Sequence, residues 1–286
     1  MNARKYLEKA RKESFALGAF NAANLEGLKA IVSAAINMRS PIIIECSPGE
    51  VEYMGINQAV ALTRSFEKEF SIPIILNLDH GTDPQKISEA IDAGFDYVHF
   101  DGGEYPFEEA ILIGKELAKK AHDKGIIIEG EMDHIQGGSS DFTDSKPDVD
   151  SSLFTDPKKA KESIEKTGID VFAGFYGNLH GIYSEYKHLN LSLLEHVQTD
   201  NPNTFLSLHG GSGILEEDIK KAINLGIVKI NVNSELRIAF KMVLQEVLDN
   251  TKEIASYKYM QKPIEEMRKV VENKIRIFGS EGKIIS

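Results

Sequence analysis

IILNLDHGTDPQKISEAIDAGFDYVHFDG, residues 74–102, reads as one complete strand–helix–strand unit. An apolar, β-branched run at 74–78 is followed by a helix-period segment at 85–93 and a second short run at 97–100. Asp83-Pro84 between the first two marks a helix start, with the carboxylate as cap and proline in the first turn. The same alternation extends in both directions. Strands are predicted at 15–20, 42–46, 126–129, 170–174, 205–208 and 228–231, and amphipathic helices at 25–38, 57–69, 107–124, 157–167 and 216–224. Short apolar runs alternating with longer amphipathic ones indicate βα units on a parallel sheet. Eight strands of this kind close naturally into a (β/α)8 barrel. A doubly wound open sheet is the rival, but no glycine-rich dinucleotide turn follows the first strand.

Residues 235–278 are mostly helical and longer than one closing helix needs, so extra C-terminal helices are expected to cover the barrel or reach another subunit. Two intervals, 137–155 and 183–193, look irregular, and loops of that length in a compact domain tend to be lids over active sites. The whole of 1–286 is expected to form one barrel domain.

Composition narrows the function. The chain has 286 residues and a formal net charge of −11, which disfavours nucleic acid and anionic membranes as partners. Its single cysteine, Cys46, excludes a disulfide framework and a cysteine-rich zinc site. The N-terminal run MNARKYLEKARKE is charged and helical rather than an apolar signal segment, and no stretch of about 20 apolar residues occurs. A cytoplasmic enzyme is the expectation.

Barrel enzymes carry their chemistry where strands end, and here those ends are rich in histidine and glycine. The third strand runs into Asp79-His80-Gly81, the fifth into Glu129 and Glu131, and the sixth into Gly177-Asn178-Leu179-His180-Gly181. The seventh leads to His209-Gly210-Gly211-Ser212-Gly213 and the eighth to Asn231-Val232-Asn233-Ser234. One histidine alone is more often structural. Three imidazoles at one rim, with a fourth position open, form the ligand set of a catalytic zinc site. Of the other five, His99 reads as barrel core, His122, His188 and His196 as solvated, and His134 as a lid residue. The Gly-rich turn after strand seven and Asn-Val-Asn-Ser after strand eight offer N–H groups and small hydroxyls to a phosphate. Asp79 beside a metal could orient a ligand or move a proton, or it could merely cap a helix.

These motifs resemble the class II fructose-1,6-bisphosphate and tagatose-1,6-bisphosphate aldolases. The likeness runs through AFNAANLEG (19–27), LDHGTD (78–83), LHGIYS (179–184), SLHGGSGI (207–214), KINVNSELRIAF (229–240) and VVENKIRIFGS (270–280). It implies that His80, His180 and His209 bind zinc, with Glu131 at a second, non-catalytic metal position. It implies that Asp79 exchanges a proton with the C4 hydroxyl of a ketose. Gly181, Gly210, Ser212, Asn233 and Ser234 correspond to positions that hold the phosphate of dihydroxyacetone phosphate. Asn231 corresponds to an asparagine near the reacting carbons, and Asn21 and Ser47 to residues on the aldehyde side. A monovalent cation as second cofactor and a homodimer or homotetramer are further implications.

The specificity positions depart from the family pattern. The acidic pair in the loop after strand five lacks its glutamate, leaving Asp141 as the nearest candidate after a lid rearrangement. Ala255-Ser256-Tyr257 replaces a common Asp-Pro-Arg, so the far phosphate is absent or is held by Lys258 or Lys262. Gly102-Gly103-Glu104 replaces Gly-Ser-His, and Phe175-Tyr176 are bulkier than usual and could reshape the pocket floor. The leading expectation is a zinc-dependent lyase that cleaves a ketose 1-phosphate or 1,6-bisphosphate to dihydroxyacetone phosphate and an aldehyde. Two alternatives are a metal-free aldolase using Lys229 as a Schiff-base nucleophile and a non-catalytic, metal-containing sugar-phosphate binder.

Overall fold

The computed structural model describes residues 3–133, 135 and 140–285. Its eight barrel strands are β1 (Leu17–Asn21), β2 (Ile42–Cys46), β3 (Ile74–Gly81), β4 (Tyr97–Asp101), β5 (Ile127–Glu131), β6 (Val171–Ala173), β7 (Phe205–Leu208) and β8 (Ile227–Val232). They pair in parallel in sequence order, and β8 returns to β1 to close the barrel. The predicted strands all form. The differences lie at the ends: Phe15 and Ala16 lie just ahead of β1, while β3 and β5 run on to Gly81 and Glu131.

Alternate strand residues divide into two clusters, as a period of two requires. Ile42, Ile44, Ile74, Leu76, Val98 and Phe100 pack in the larger cluster, with apolar helix residues such as Leu28, Ile31 and Ile87. Ile43, Ile75, Tyr97, Ile127, Val171 and Phe205 belong instead to a second cluster together with Ala3, Tyr6, Leu7 and Ala10 of the N-terminal helix α1 (Ala3–Glu13). That helix therefore plugs the N-terminal mouth of the barrel. Continuing at the same parity along all of these strands but β6, where Ala173 follows, the next residues are polar: Glu45, Asn77, His99, Glu129 and Ser207, all buried. An apolar floor and a polar upper interior follow directly from the alternation.

The outer layer is α2 (Leu25–Met38), α3 (Pro48–Met54), α4 (Ile56–Phe70), α5 (Pro84–Ala93), α6 (Phe107–Asp123), α7 (Pro157–Thr167), α8 (Leu191–Asp200) and α9 (Glu216–Asn224). Asp83 caps α5 as its sequence indicated, accepting from Gln85 N at 2.8 Å. The interval 183–193 is less irregular than expected: Ile182–Tyr183 is a two-residue strand, and Asn190 caps α8, which starts at Leu191. The C-terminal segment forms α10 (Ser234–Asn250), α11 (Ser256–Tyr259) and α12 (Gln261–Phe278). Helix α12 packs on α2 and α10, so it covers the barrel wall. Within 137–155, Asp141–Phe142 pairs in parallel with Ile182–Tyr183, clamping this segment to the loop that follows β6. His134 and residues 136–139 lie outside the described residues.

Candidate active site

Asp79 and His80 are delivered by the final turn of β3, where His80 adopts a left-handed backbone with φ of 49°. A non-glycine residue there is strained, and such strain gathers at functional sites. Its amide donates to His99 Nδ1 at 3.1 Å, which fixes the turn. His209 follows β7 and is fully buried, while His180 sits on the loop after β6. The His80 ring centroid lies 4.6 Å from that of His209, 4.8 Å from that of His99 and 5.1 Å from that of His180.

The imidazoles are anchored from behind. His80 Nδ1 meets Asp101 Oδ2 at 3.0 Å, and His209 Nε2 meets Glu129 Oε1 at 2.5 Å. An ionised carboxylate only accepts, so each of these nitrogens carries the proton. That leaves His80 Nε2 and His209 Nδ1 facing each other at 2.9 Å. Two lone pairs at that distance require one positive charge between them. In the absence of a metal it is a proton: burial disfavours the charge on both rings, but Asp79 and Asp101 raise His80 to about 9, while His209 is pushed down to about 3. A divalent metal supplies the same charge and displaces the proton. His180 is held neutral, its pKa lowered first by burial and then by His80 and His209, as a metal-ligating imidazole must be. The donor set therefore fits a metal.

Among the described residues, two groupings of potential ligand atoms lie within 4.8 Å: Asp79, His80, His99 and His209, and beside it His80, Asp101 and Glu131. His180 falls outside the first group but borders it. Among the described residues Glu131 Oε2 has no hydrogen-bond partner; it is buried 3.4 Å from His99 Nε2 and 3.7 Å from His80 Nδ1. Burial and Asp101 raise the pKa of Glu131. His99, which the sequence placed in plain core, thus belongs to the first group and borders the second. The usable signal was parity: Tyr97, His99 and Asp101 alternate on the face that carries Asn77 and Asp79 on β3.

Asp79 is buried and accepts from Asn21 Nδ2 and Asn231 Nδ2, each at 3.1 Å. Burial alone would favour its neutral form. The nearby imidazoles of His80, His99 and His209 outweigh that and hold the carboxyl well below the usual range. Asn231 also donates to Glu45 at 3.0 Å. Beneath them, Lys229 is fully buried between Glu129 at 2.9 Å and Glu45 at 3.0 Å. Burial lowers its pKa, but those two carboxylates reverse the effect and raise it. A Schiff-base nucleophile needs a neutral amine, and Lys229 is locked as an ammonium. The Lys229 alternative is therefore not favoured.

Asn21, Asp79, His80, His180, Gly181, Gly210, Ser212, Asn231, Asn233 and Ser234 line one concavity above this centre. Gly210 has φ of 62°, and a Cβ there would lie 2.4 Å from the carbonyl oxygens of Asn178 and Leu179, so only glycine lets the two loops approach. Ser234 begins the 17-residue helix α10, whose N-terminal N–H groups and dipole favour an anion. Ser47 is not among the lining residues. Its hydroxyl caps α3, and the reciprocal partner Glu50 accepts from Ser47 N at 2.8 Å, from Asn21 at 3.0 Å and from Arg237 at 2.7 Å.

The divergent positions are also placed. Asp141 lines a recess with Ser234, Arg237 and Lys241, its carboxylate accepting from Thr143 N at 3.0 Å. Lys258 pairs with Glu253 at 2.8 Å and lies with Lys262 against Glu246 and Asn250 of α10, about 18 Å along the helix from Ser234. Neither lysine reaches this chain's own cleft. Phe175 packs with Ile135 and Leu179, and Phe154 stacks on it edge-on at 5.4 Å, so it anchors the segment after β5 rather than filling the pocket. His122, His188 and His196 are exposed and pair with Asp170, Asp218 and Asp200 away from the centre, as expected of solvated residues.

Sequence reasoning missed Lys187. Its side chain is 1% exposed, and its ammonium donates to the backbone carbonyls of Leu179, Gly181 and Gly210, the last two at 3.2 and 2.7 Å. Carbonyl acceptors have no side-chain signature, so nothing in the sequence marks this position.

Residues 1–283 match the family described as fructose-bisphosphate aldolase class-II. A fructose-bisphosphate aldolase of Staphylococcus epidermidis is 36% identical over 280 residues, covering 96% of this chain and 95% of that protein. A fructose-bisphosphate aldolase of Staphylococcus aureus is similar to the same extent. Among solved structures, the YdjI aldolase of Escherichia coli K12 superposes with a TM-score of 0.83 at 30% identity, over 98% of this chain and 97% of that one.

Proposed function

From the chain's membership of the class II fructose-bisphosphate aldolase family, we propose the following assignment of roles within its metal-dependent aldolase reaction. The chain belongs to that family, and its members are lyases. The observation that carries the residue assignment is the pair of facing nitrogens on His80 and His209, each braced by a carboxylate on its other side.

His80, His209 and His180 would hold zinc, with Glu131 at a second metal position. A bound zinc supplies Lewis-acid polarisation of the ketose carbonyl. The remaining work falls to the chain. Asp79, held ionised beside His80 and oriented by Asn21 and Asn231, takes the C4 hydroxyl proton as the C3–C4 bond breaks. In condensation it returns that proton to the aldehyde oxygen. Gly181, Gly210, Ser212, Asn233 and Ser234 bind the phosphate at C1, using backbone N–H groups and the α10 terminus. Asn231 orients the reacting carbons. Asp141, which borders the recess beside Ser234, is the candidate that moves the C1 proton of dihydroxyacetone phosphate.

The substrate is a ketose 1-phosphate or 1,6-bisphosphate of the fructose or tagatose type, cleaved to dihydroxyacetone phosphate and an aldehyde. Any far phosphate is met within this chain by Arg237 and Lys241 rather than by Lys258 or Lys262. The enzyme acts as a single barrel domain in the cytoplasm; no helix among the described residues is long and apolar enough to cross a membrane. Met242, Leu248, Ile254 and Tyr257 are exposed on and after α10, which favours a homo-oligomer through that region.

Metal analysis paired with release of dihydroxyacetone phosphate from fructose, tagatose and other ketose phosphates, before and after EDTA, tests this reading. Near one zinc per chain with chelator-sensitive cleavage supports it and ranks the substrates. Cleavage that survives complete metal removal overturns it.

A further inference from the structure

Lys187 is a buried cation that the reaction as assigned does not use. Its backbone is pinned to the turn after β7: its amide donates to Gly213 O at 3.0 Å, and its carbonyl accepts from Leu215 N at 3.4 Å. From there the side chain passes under the turn to three carbonyl oxygens, on Leu179, Gly181 and Gly210. Leu179 and Gly181 flank His180, and Gly210 follows His209. One amino group therefore joins the two loops that carry these histidines and most of the candidate phosphate positions.

The donor count matches the charged form. An ammonium has three N–H bonds for three carbonyls, whereas a neutral amine has two and would leave a buried oxygen unpaired. Burial pushes the Lys187 pKa down to about 7, with Glu235 opposing and Lys274 reinforcing the shift. Among the described residues no carboxylate forms an ion pair with it, so the three carbonyl oxygens are its nearest counter-charge. Convergent backbone carbonyls of this kind also replace the hydration shell of a bare alkali cation. The arrangement is thus a cation site whose cation is covalently attached.

We propose that Lys187 is a tethered monovalent cation, a positioning residue that locks the loops after β6 and β7 together for phosphate binding and makes that binding independent of free sodium, potassium or ammonium. The inference rests on the phosphate site proposed above. Its physical basis is that a fixed ammonium carries no translational entropy to lose, cannot exchange with solvent, and places a positive charge beneath the Gly181–Gly210–Ser212 surface.

The test uses the intact, zinc-loaded protein and titrates inorganic phosphate and dihydroxyacetone phosphate calorimetrically. Chloride salts of tetramethylammonium, sodium, potassium and ammonium are compared at equal ionic strength, for wild type, Lys187→Ala and Lys187→Met. Wild-type affinities should agree within about twofold in all four salts. Lys187→Ala opens the carbonyl trio. It should bind about tenfold or more weakly in tetramethylammonium and recover, saturably, with potassium or ammonium. Lys187→Met fills the channel with an apolar chain and should weaken without recovering.

A wild-type affinity that rises about tenfold with potassium overturns the proposal, as does a Lys187→Ala variant with unchanged affinity in tetramethylammonium, or a loss that no cation restores. If Lys187→Ala folds in no salt, the wild-type salt comparison decides. If wild type binds neither ligand in any salt, the phosphate-site reading has failed instead. Melting temperatures then decide the role of Lys187: potassium stabilising only the alanine variant supports it, and no cation-specific stabilisation overturns it.

Discussion

His209 Nδ1 lies 2.9 Å from His80 Nε2, and the opposite nitrogen of each ring is bound to a carboxylate, Glu129 for one and Asp101 for the other. The two carboxylates choose the tautomers, and the tautomers leave two lone pairs aimed at a single point. On the proposed reading, this relationship makes Asp101 and Glu129 part of the metal centre although neither needs to touch the metal.

Replacing His209 with alanine should remove metal and activity together. Asp101→Asn and Glu129→Gln should fold and keep weak cleavage, with metal affinity lower by roughly 10–100-fold. Competition against a zinc-sensitive dye measures this. Unaltered affinity in both variants would show that the rings are oriented by something else.

Asp79→Ala should retain metal while losing cleavage by about 10²–10⁴-fold, the range for removal of a general acid–base. Metal content and turnover are measured on the same sample. Wild-type cleavage by this variant would remove Asp79 from the proton-transfer role.

Lys229 should behave as a structural ammonium. Borohydride added with dihydroxyacetone phosphate should leave the protein mass unchanged, since no imine forms. Lys229→Met strands Glu45 and Glu129 as buried charges and should destabilise the fold by about 3–5 kcal/mol in denaturant unfolding. A stable mass adduct on Lys229 would revive the metal-free mechanism.

Asp133 predicts a pH dependence of stability. Burial raises its pKa from 3.8 to about 6, against a lowering hydrogen bond from Thr155. Between about pH 4 and 6 the unfolded chain releases a proton that the folded chain keeps, so this residue's contribution to stability falls as pH rises. Above pH 6 the folded state holds a costly buried charge. Asp133→Asn keeps an acceptor for Thr155 and should stabilise the metal-free protein at pH 8 by up to about 3 kcal/mol, with no gain at pH 4. Thermal unfolding at the two pH values checks the sign, and an equal effect at both would refute it.

The barrel was legible because its determinants are local and repeat eight times. Runs such as Ile42–Cys46 and Phe205–Leu208 are strands in the sequence and in the structure, and Asp83-Pro84 starts a helix in both. Strand-end motifs likewise brought His80, His180, His209 and the phosphate-loop residues to one rim, because the C-terminal ends of parallel strands share one face. Sequence alone therefore determined the fold, the rim and the residue types gathered there. Tertiary structure decided which nitrogens face inward, which carboxylates stay ionised, and where Lys187 and His99 belong. Those outcomes depend on closing the barrel: it sets β3 beside β4 and brings Glu129 to His209, 80 residues apart in sequence. Carbonyl cages and buried proton positions arise from backbone packing and mutual electrostatics, neither of which has a residue code.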